Sequence, residues 1–218
     1  MEIIQLSSVT AGRHFEEELN IIQTNIILYG EGKKVIAIVP TTKEKNVFPL
    51  AASLAESFAK GQRSVLLIDV SREGEALLGL SEGQNENGLF DILANDLAAF
   101  SFVLETDIGG LYYLATGTDT VNTRELLGGI PFESLISGIK EQYDYVFLLM
   151  PALNQSLEST IIARVVDGSI LVATSGTSYD KISRPIEMLK KGSPIIGSIL
   201  LKKKTSLLPP FAGKKGKR

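Results

Sequence analysis

Six stretches of the chain are almost unbroken in apolar residues: VIAIV at 35–39, SVLLIDV at 64–70, LYYLA at 111–115, YVFLLM at 145–150, SILVATS at 169–175 and PIIGSILL at 194–201. They are short and rich in Val, Ile and Leu, and they lack the alternation of a half-exposed strand. Such runs predict strands of a parallel sheet covered on both faces. Between them the period changes. Residues 49–60 place Leu50, Ala51, Leu54, Ala55 and Phe58 on one stripe, with Gly61 as a stop, which predicts an amphipathic helix. Stretches 133–142, 157–166 and 179–191 predict three more, and Pro185 inside the last predicts a kink or a late start. Residues 71–110 are less regular, with SEGQNENG at 81–88 a loop by composition.

Strand and helix in regular alternation predict an α/β fold: a doubly wound, mostly parallel sheet with helices on both faces, three layers in all. Ligands of such folds bind beyond the carboxyl ends of the strands. The places to inspect therefore come after Val39, Asp69 and Met150. No internal repeat or low-complexity linker divides the body, so residues 1–201 read as one domain and 202–218 as a tail.

Composition narrows the chemistry. The 218 residues contain no Cys, which excludes disulfides and thiolate metal sites and agrees with a reducing compartment. A single histidine, His14, argues against a His-based metal site or a Ser-His-Asp triad and reads as a surface residue at a helix start. No run reaches 18 apolar residues, and the N-terminal MEIIQLSSVTAG lacks the basic and apolar regions of a secretory signal. A cytoplasmic protein is expected. The last 17 residues carry six Lys, one Arg and no acid; their +7 leaves −10 on the first 201 against the net charge of −3.

The first strand raises a specific question. Gly30-Glu31-Gly32-Lys33 has the composition of a phosphate-binding loop, but it precedes the strand 35–39. A phosphate loop comes after its strand, so that its N–H groups and the next helix N-terminus converge on the ligand. Here the strand leads instead into Pro40-Thr41-Thr42-Lys43-Glu44-Lys45-Asn46, without a glycine.

VIAIVPTTKEKNVFPLAASLAESFAKGQRSVLLIDV resembles the first βαβ unit of the bacterial tyrosine kinases of capsule and exopolysaccharide synthesis (CpsD/CapB-like), relatives of the MinD/ParA P-loop ATPases. The family's stretch runs strand, T-S-x-x-P-G-E-G-K-S-T, helix with A-x-N-L-A, then L-L-I-D-A-D. With AASLA at 51–55 on that helix, the family's Lys falls on Val47, its Ser on Phe48 and its Thr on Pro49. The two loop glycines fall on Glu44 and Asn46. Val47 removes the cation, Phe48 puts an apolar ring where magnesium would sit, Pro49 deletes an N–H, and Glu44 adds negative charge. Lys43 and Lys45 retain only a general attraction for anions at a helix N-terminus. A plain turn from strand to helix fits these residues better than a phosphate cradle.

At the second strand end, the family's L-L-I-D-x-D reads here Leu66-Leu67-Ile68-Asp69-Val70-Ser71, so one acid remains, in a position typical of a turn or cap. At the third, the family's Y-D-x-V-I-I-D-x-P-P reads YDYVFLLMPA. Tyr143, Asp144, Tyr145 and Pro151 keep the frame, and Leu149 stands at the metal-associated Asp. The resemblance continues in order through FEEELNIIQTNI (15–26), NGLFDIL (87–93), LATGTDTVNTRELLGG (114–129), VDGSILVATSGTS (166–178) and IIGSILL (195–201). Where the family's E-x-x-R-x-x-R segment builds a ring-shaped oligomer, this chain has Asn20 and Gln23, and no tyrosine follows Leu201 where the family carries an autophosphorylated cluster.

The expectation is a catalytically inactive relative, with no catalytic residue, no metal ligand and neither ATP nor magnesium as cofactor. It would be a regulatory or scaffolding partner in capsular or exopolysaccharide biosynthesis and export. Its old nucleotide site would survive only as the positions Glu44, Asn46, Val47, Phe48, Pro49, Asp69, Ser71 and Leu149. The resemblance implies as partner a membrane-embedded polysaccharide co-polymerase or an active kinase paralogue, in a homo- or hetero-oligomer. Two alternatives stand beside it. One is an active tyrosine kinase or ATPase with a rearranged site, using Lys33, Lys43 or Lys45 with Asp69, ATP and Mg. The other is a MinD/ParA-like positioning protein. The tail, with Lys202, Lys203, Lys204, Lys214, Lys215, Lys217 and Arg218 around TSLLPPF, suits either an anionic membrane surface or a solvated, disordered segment. Nucleic acid is not expected, because the body is acidic.

Overall fold

The computed structural model describes residues 4–8, 10, 16–78, 88–95, 97–118 and 122–202, so His14 and nearly all of the basic tail lie outside it. The described residues form seven strands: β1 (Val35–Pro40), β2 (Val65–Asp69), β3 (Leu104–Glu105), β4 (Leu111–Leu114), β5 (Tyr145–Leu149), β6 (Gly168–Thr174) and β7 (Ile195–Leu201). They form one sheet in the order β3-β4-β2-β5-β1-β6-β7. Every neighbouring pair is parallel except β3 against β4. Each predicted apolar run holds one strand; β3, only two residues long, has no run behind it.

The doubly wound arrangement follows from burial. All six residues of β1 are buried, and β5 beside it is fully covered from Val146 to Leu149. On one face α1 (Glu16–Tyr29) and α2 (Val47–Ala59) pack with Leu6 over the sheet. The other face is covered by α4 (Leu89–Asn95), α5 (Thr123–Gly128), α6 (Ile130–Gln142), α7 (Glu158–Ile162) and α8 (Tyr179–Gly192). A short α3 (Glu73–Leu78) follows β2. Two expectations shift in detail. The helix foreseen over 157–166 stops at Ile162, where Arg164 and Val165 donate to carbonyls three residues back, the tighter 3₁₀ spacing. α8 starts at Tyr179 with no delay and contains Pro185 in its interior.

The two ends of the sheet are held differently. At the amino ends of the strands, Asp167 Oδ2 accepts from the Lys34 and Val35 N–H groups at 2.9 Å each, and Oδ1 pairs with Lys140 Nζ at 2.5 Å. One carboxylate thus ties β1, β6 and α6. Asp144 similarly accepts from the Ser64 N–H at 2.8 Å. Both acids belong to segments that resemble the kinase family, and both serve the amino ends of the strands, opposite the end at which such folds bind ligands. At the carboxyl end of β4, Asp91 Oδ2 accepts from Gly88 and Thr118 N–H at 2.9 Å. Gly117 has φ +86, and a Cβ there would lie 2.1 Å from Asp91 Oδ2, so only glycine fits.

The sheet edges also differ. Beside β3, Ile4 lies parallel to the chain at Thr106, donating to the Glu105 carbonyl at 3.0 Å and accepting from the Asp107 N–H at 2.9 Å. Along the outer side of β7 no strand pairs among the described residues. None of the described helices is long and apolar enough to cross a membrane.

Candidate functional site

The carboxyl ends of β1, β2 and β5 meet where a doubly wound fold places its ligand. From β1 the chain runs through residues 41–46 into α2. Thr41 is buried, and its N–H and hydroxyl both donate to the Val172 carbonyl, at 2.9 and 3.3 Å. Lys43, Lys45 and Asn46 are exposed and Glu44 is half-buried. None of residues 41–46 has a positive φ, so the loop makes none of the left-handed turns that glycine would permit. Asn46 precedes α2 without a side-chain cap. The Val47 N–H already donates to the Glu44 carbonyl at 3.2 Å, and Pro49, third in the helix, has no N–H. Two of the first three donors that a helix N-terminus would offer an anion are thereby removed.

Val47 and Phe48 point into the core. Phe48 is fully buried, and its ring stands edge-on to Tyr113 with centroids 6.2 Å apart. Across from it lies Gly74, in the first turn of α3. A Cβ on Gly74 would be 2.2 Å from Phe48 Cε2, 2.6 Å from its Cζ and 2.7 Å from Tyr113 Oη. The ring therefore occupies the space that any side chain at 74 would need. Leu149, also fully buried, belongs to the same apolar cluster, while its carbonyl accepts from the Val70 N–H at 2.9 Å.

Asp69 ends β2 with no exposed surface. Its Oδ1 accepts from the Ser71 N–H at 2.8 Å and the Ser71 hydroxyl at 2.7 Å. Its Oδ2 accepts from the Gly74 N–H at 2.7 Å and, more distantly, from Tyr113 Oη at 3.4 Å. Burial pushes the carboxyl above its ordinary pKa, and these bonds only partly oppose that rise. Ser71 in turn accepts from the Glu73 N–H at 3.2 Å. The arrangement organises a turn and the start of α3. Glu73 is half-buried, and its Oε2 has no hydrogen-bond partner among the described residues. Its pKa is raised by burial and by the nearby Asp69 charge, with Glu44 adding to the rise and Lys43 opposing it.

Of the positions singled out in the sequence, Phe48, Asp69, Ser71 and Leu149 gather around the ends of β2 and β5. Glu44 and Asn46 stay in the loop, and Val47 and Pro49 begin α2. Lys33 is not part of this group: it precedes β1, whose six residues put about 20 Å between it and the far end of that strand. Lys34 beside it donates to the Lys140 carbonyl at 3.3 Å. Sequence reasoning missed Gly74, Tyr113 and Glu73; the only signal was a glycine in a helix-forming stretch, SREGEALL, where glycine is unfavourable. Asn20 and Gln23 line a groove of about 560 Å³ between α1 and α2, and Gln23 Nε2 donates across it to the Ser57 carbonyl at 2.9 Å. Among the described residues, no group of three or more His, Cys, Asp or Glu side chains is placed to hold a metal ion.

The mostly parallel seven-stranded sheet with its helices matches the MinD/ParA-type P-loop fold. MinD of Pyrococcus horikoshii, solved with Mg-ADP, superposes with a TM-score of 0.62 at 22% identity, over 77% of this chain and 69% of that one. The kinase domain of the Escherichia coli tyrosine kinase ETK gives a TM-score of 0.78 at 24% identity, over 87% of this chain and 77% of that one. No protein-family model matches the chain. In sequence, tyrosine-protein kinase CpsD of Streptococcus agalactiae serotype III is 28% identical over 206 residues, which is 93% of this chain and 88% of that protein. The chain is a homologue of the CpsD/CapB-like bacterial tyrosine kinases.

Proposed function

We propose that this chain keeps the kinase fold without a working nucleotide site, and acts as a non-catalytic regulatory or scaffolding partner in capsular or exopolysaccharide biosynthesis and export. The observation that carries the reading is Phe48. Its ring is buried against Gly74 and Tyr113, at the position on which the family's magnesium-holding hydroxyl falls when AASLA is laid on the family's helix. No lysine is found from Asn46 to Ala59, the stretch in which the family's phosphate-binding lysine falls. Mg-ATP carries several negative charges, and binding it without those groups forfeits most of the electrostatic stabilisation. Neither ATP nor magnesium is a cofactor in this reading. The partner is a membrane-embedded polysaccharide co-polymerase or an active kinase paralogue, met at the inner face of the cell membrane, with the basic residues 202–218 as a further contact for anionic lipid.

Titrating Mg-ATP and Mg-ADP to millimolar concentration by calorimetry tests this. No heat and an unchanged melting temperature are expected. Micromolar, magnesium-dependent binding would refute it. A second reading, an ATPase or kinase rebuilt around Lys43 and Asp69, is favoured by one observation, the unpartnered Glu73 Oε2 beside them. It requires turnover that Asp69→Asn abolishes.

A further inference from the structure

Edge strands are ordinarily kept from pairing by shortness, charge, proline, a bulge or a covering segment. Ile4 covers the edge at β3. β7 at the other edge is seven residues long, carries neither charge nor proline, and has no strand beside it among the described residues. Its one irregularity, opposite Ser169 and Ile170, lies at its amino end and leaves residues 197–201 regular. The direction of its free groups follows from the ladder. The Leu201 carbonyl accepts from the Ser175 N–H at 2.9 Å, so Leu201 bonds inward to β6. Alternate residues of a parallel strand bond to opposite sides. Ile199 and Gly197 therefore bond inward as well, and Ser198 and Leu200 turn both N–H and C=O outward. Both of these residues are exposed, Leu200 by 63%.

We propose that β7 is a self-association edge: a second copy of this chain pairs with it antiparallel, about a two-fold axis at Ile199. In that register Ser198 of each copy stands opposite Leu200 of the other, and their outward N–H and C=O groups bond to one another. Ile199 meets its own counterpart and Gly197 meets Leu201, so no charged side chain lies among the residues that face each other. Charge selects this arrangement over a parallel one, which would set Lys202, Lys203 and Lys204 of the two copies side by side. The two-fold axis sends them to opposite ends, with the two Lys202 residues about 20 Å apart. Physiological salt screens exposed charges over roughly 8 Å. Each Lys202 then arrives opposite Ile196 of the other copy, near the turn where the exposed Glu31 offsets Lys33. A second copy is the partner that these observations support, because its own β7 is an unpaired edge of equal length, uncharged at every paired position. This holds whether or not the chain binds nucleotide.

Sedimentation equilibrium of the full chain over a micromolar concentration series is expected to show the mass rising from 23.6 kDa to twice that value. Amide exchange at Ser198 and Leu200 is expected to slow as concentration rises. Leu200→Lys should weaken the dimer at least tenfold, while Ile130→Lys, at another exposed apolar position on α6, should leave it unchanged. The chain has no cysteine, which makes the register directly readable. Ile199→Cys puts two thiols on Cα atoms about 4.5 Å apart, within disulfide reach, and should cross-link on oxidation. Leu200→Cys, offset from its counterpart by two residues and so beyond about 7 Å, should not. Should Leu200→Lys fail to melt cooperatively, the cysteine variants and the exchange measurement decide in its place. A single-copy mass throughout the series overturns the proposal, as does a dimer unmoved by Leu200→Lys or a cross-link at 200 and not at 199. Exchange protection independent of concentration also overturns it, by giving the edge to the chain's own residues after 202.

Discussion

Phe48 and Gly74 should be energetically inseparable. The Phe48 ring is fully buried, so Phe48→Ala is expected to cost about 3–5 kcal/mol through lost transfer energy and the cavity left behind. Gly74→Ala alone drives a methyl to 2.2 Å from the ring, where a comfortable carbon contact is about 3.5–4.0 Å. Forcing the ring aside costs about 1–3 kcal/mol, offset by about 1 kcal/mol of helix propensity gained in α3. In the Phe48→Ala background the methyl enters vacated space. There the same change should be neutral or slightly stabilising, held back only by Tyr113 Oη at 2.7 Å. The pair should therefore couple by about 1–3 kcal/mol. Urea denaturation of the four proteins measures this, with melting temperatures shifting by about 2–4 °C per kcal/mol for a chain of this size. Additivity within about 0.5 kcal/mol would mean that the ring does not fill the space beside Gly74, and the case for a plugged site would fall with it.

Gly117→Ala combines a left-handed φ of +86 with a Cβ 2.1 Å from Asp91 Oδ2, and should destabilise by about 2 kcal/mol or more in the same assay. Asp167→Ala leaves the Lys34 and Val35 N–H groups without their acceptor and should cost about 1–3 kcal/mol at neutral pH. The pH dependence has a definite sign. Burial raises the Asp167 pKa, but the bonds from Lys140 and from the Val35 and Lys34 N–H groups outweigh it, leaving the pKa below its ordinary value. Its contribution is thus full above the unfolded-state value of about 3.9 and is lost as pH falls through the lower folded value. The stability gap between parent and Asp167→Ala should narrow below about pH 4; a gap constant from pH 7 to pH 2 would refute the assignment.

How much of this was legible depended on whether the information was local. A parallel sheet covered on both faces requires apolar residues at every position, so β1, β2 and β4 to β7 announce themselves as continuous runs. The α2 stripe is equally plain. Two-residue β3 has no run to see, and the short α3, α4 and α5 fall below the length at which periodicity separates helix from loop. The candidate site split along the same line. The candidate positions 44, 46–49, 69, 71 and 149 follow from the resemblance, with the kinase motifs laid on this sequence. That Phe48 turns inward onto a glycine 26 positions away, or that Leu6 crosses to the far edge of the sheet, is a tertiary contact with no local signature.

The unequal edges of the sheet set a limit on how this chain can associate with itself. The β3 side is two residues long and shielded by Ile4, whereas β7 has seven residues, without charge or proline among them, and no strand beside it among the described residues. Two molecules joined through β7 would leave only shielded edges facing outward, so growth along the sheet closes at a pair. Displacing Ile4 would remove that stop and leave the same sheet with two open ends, the geometry of an unending filament.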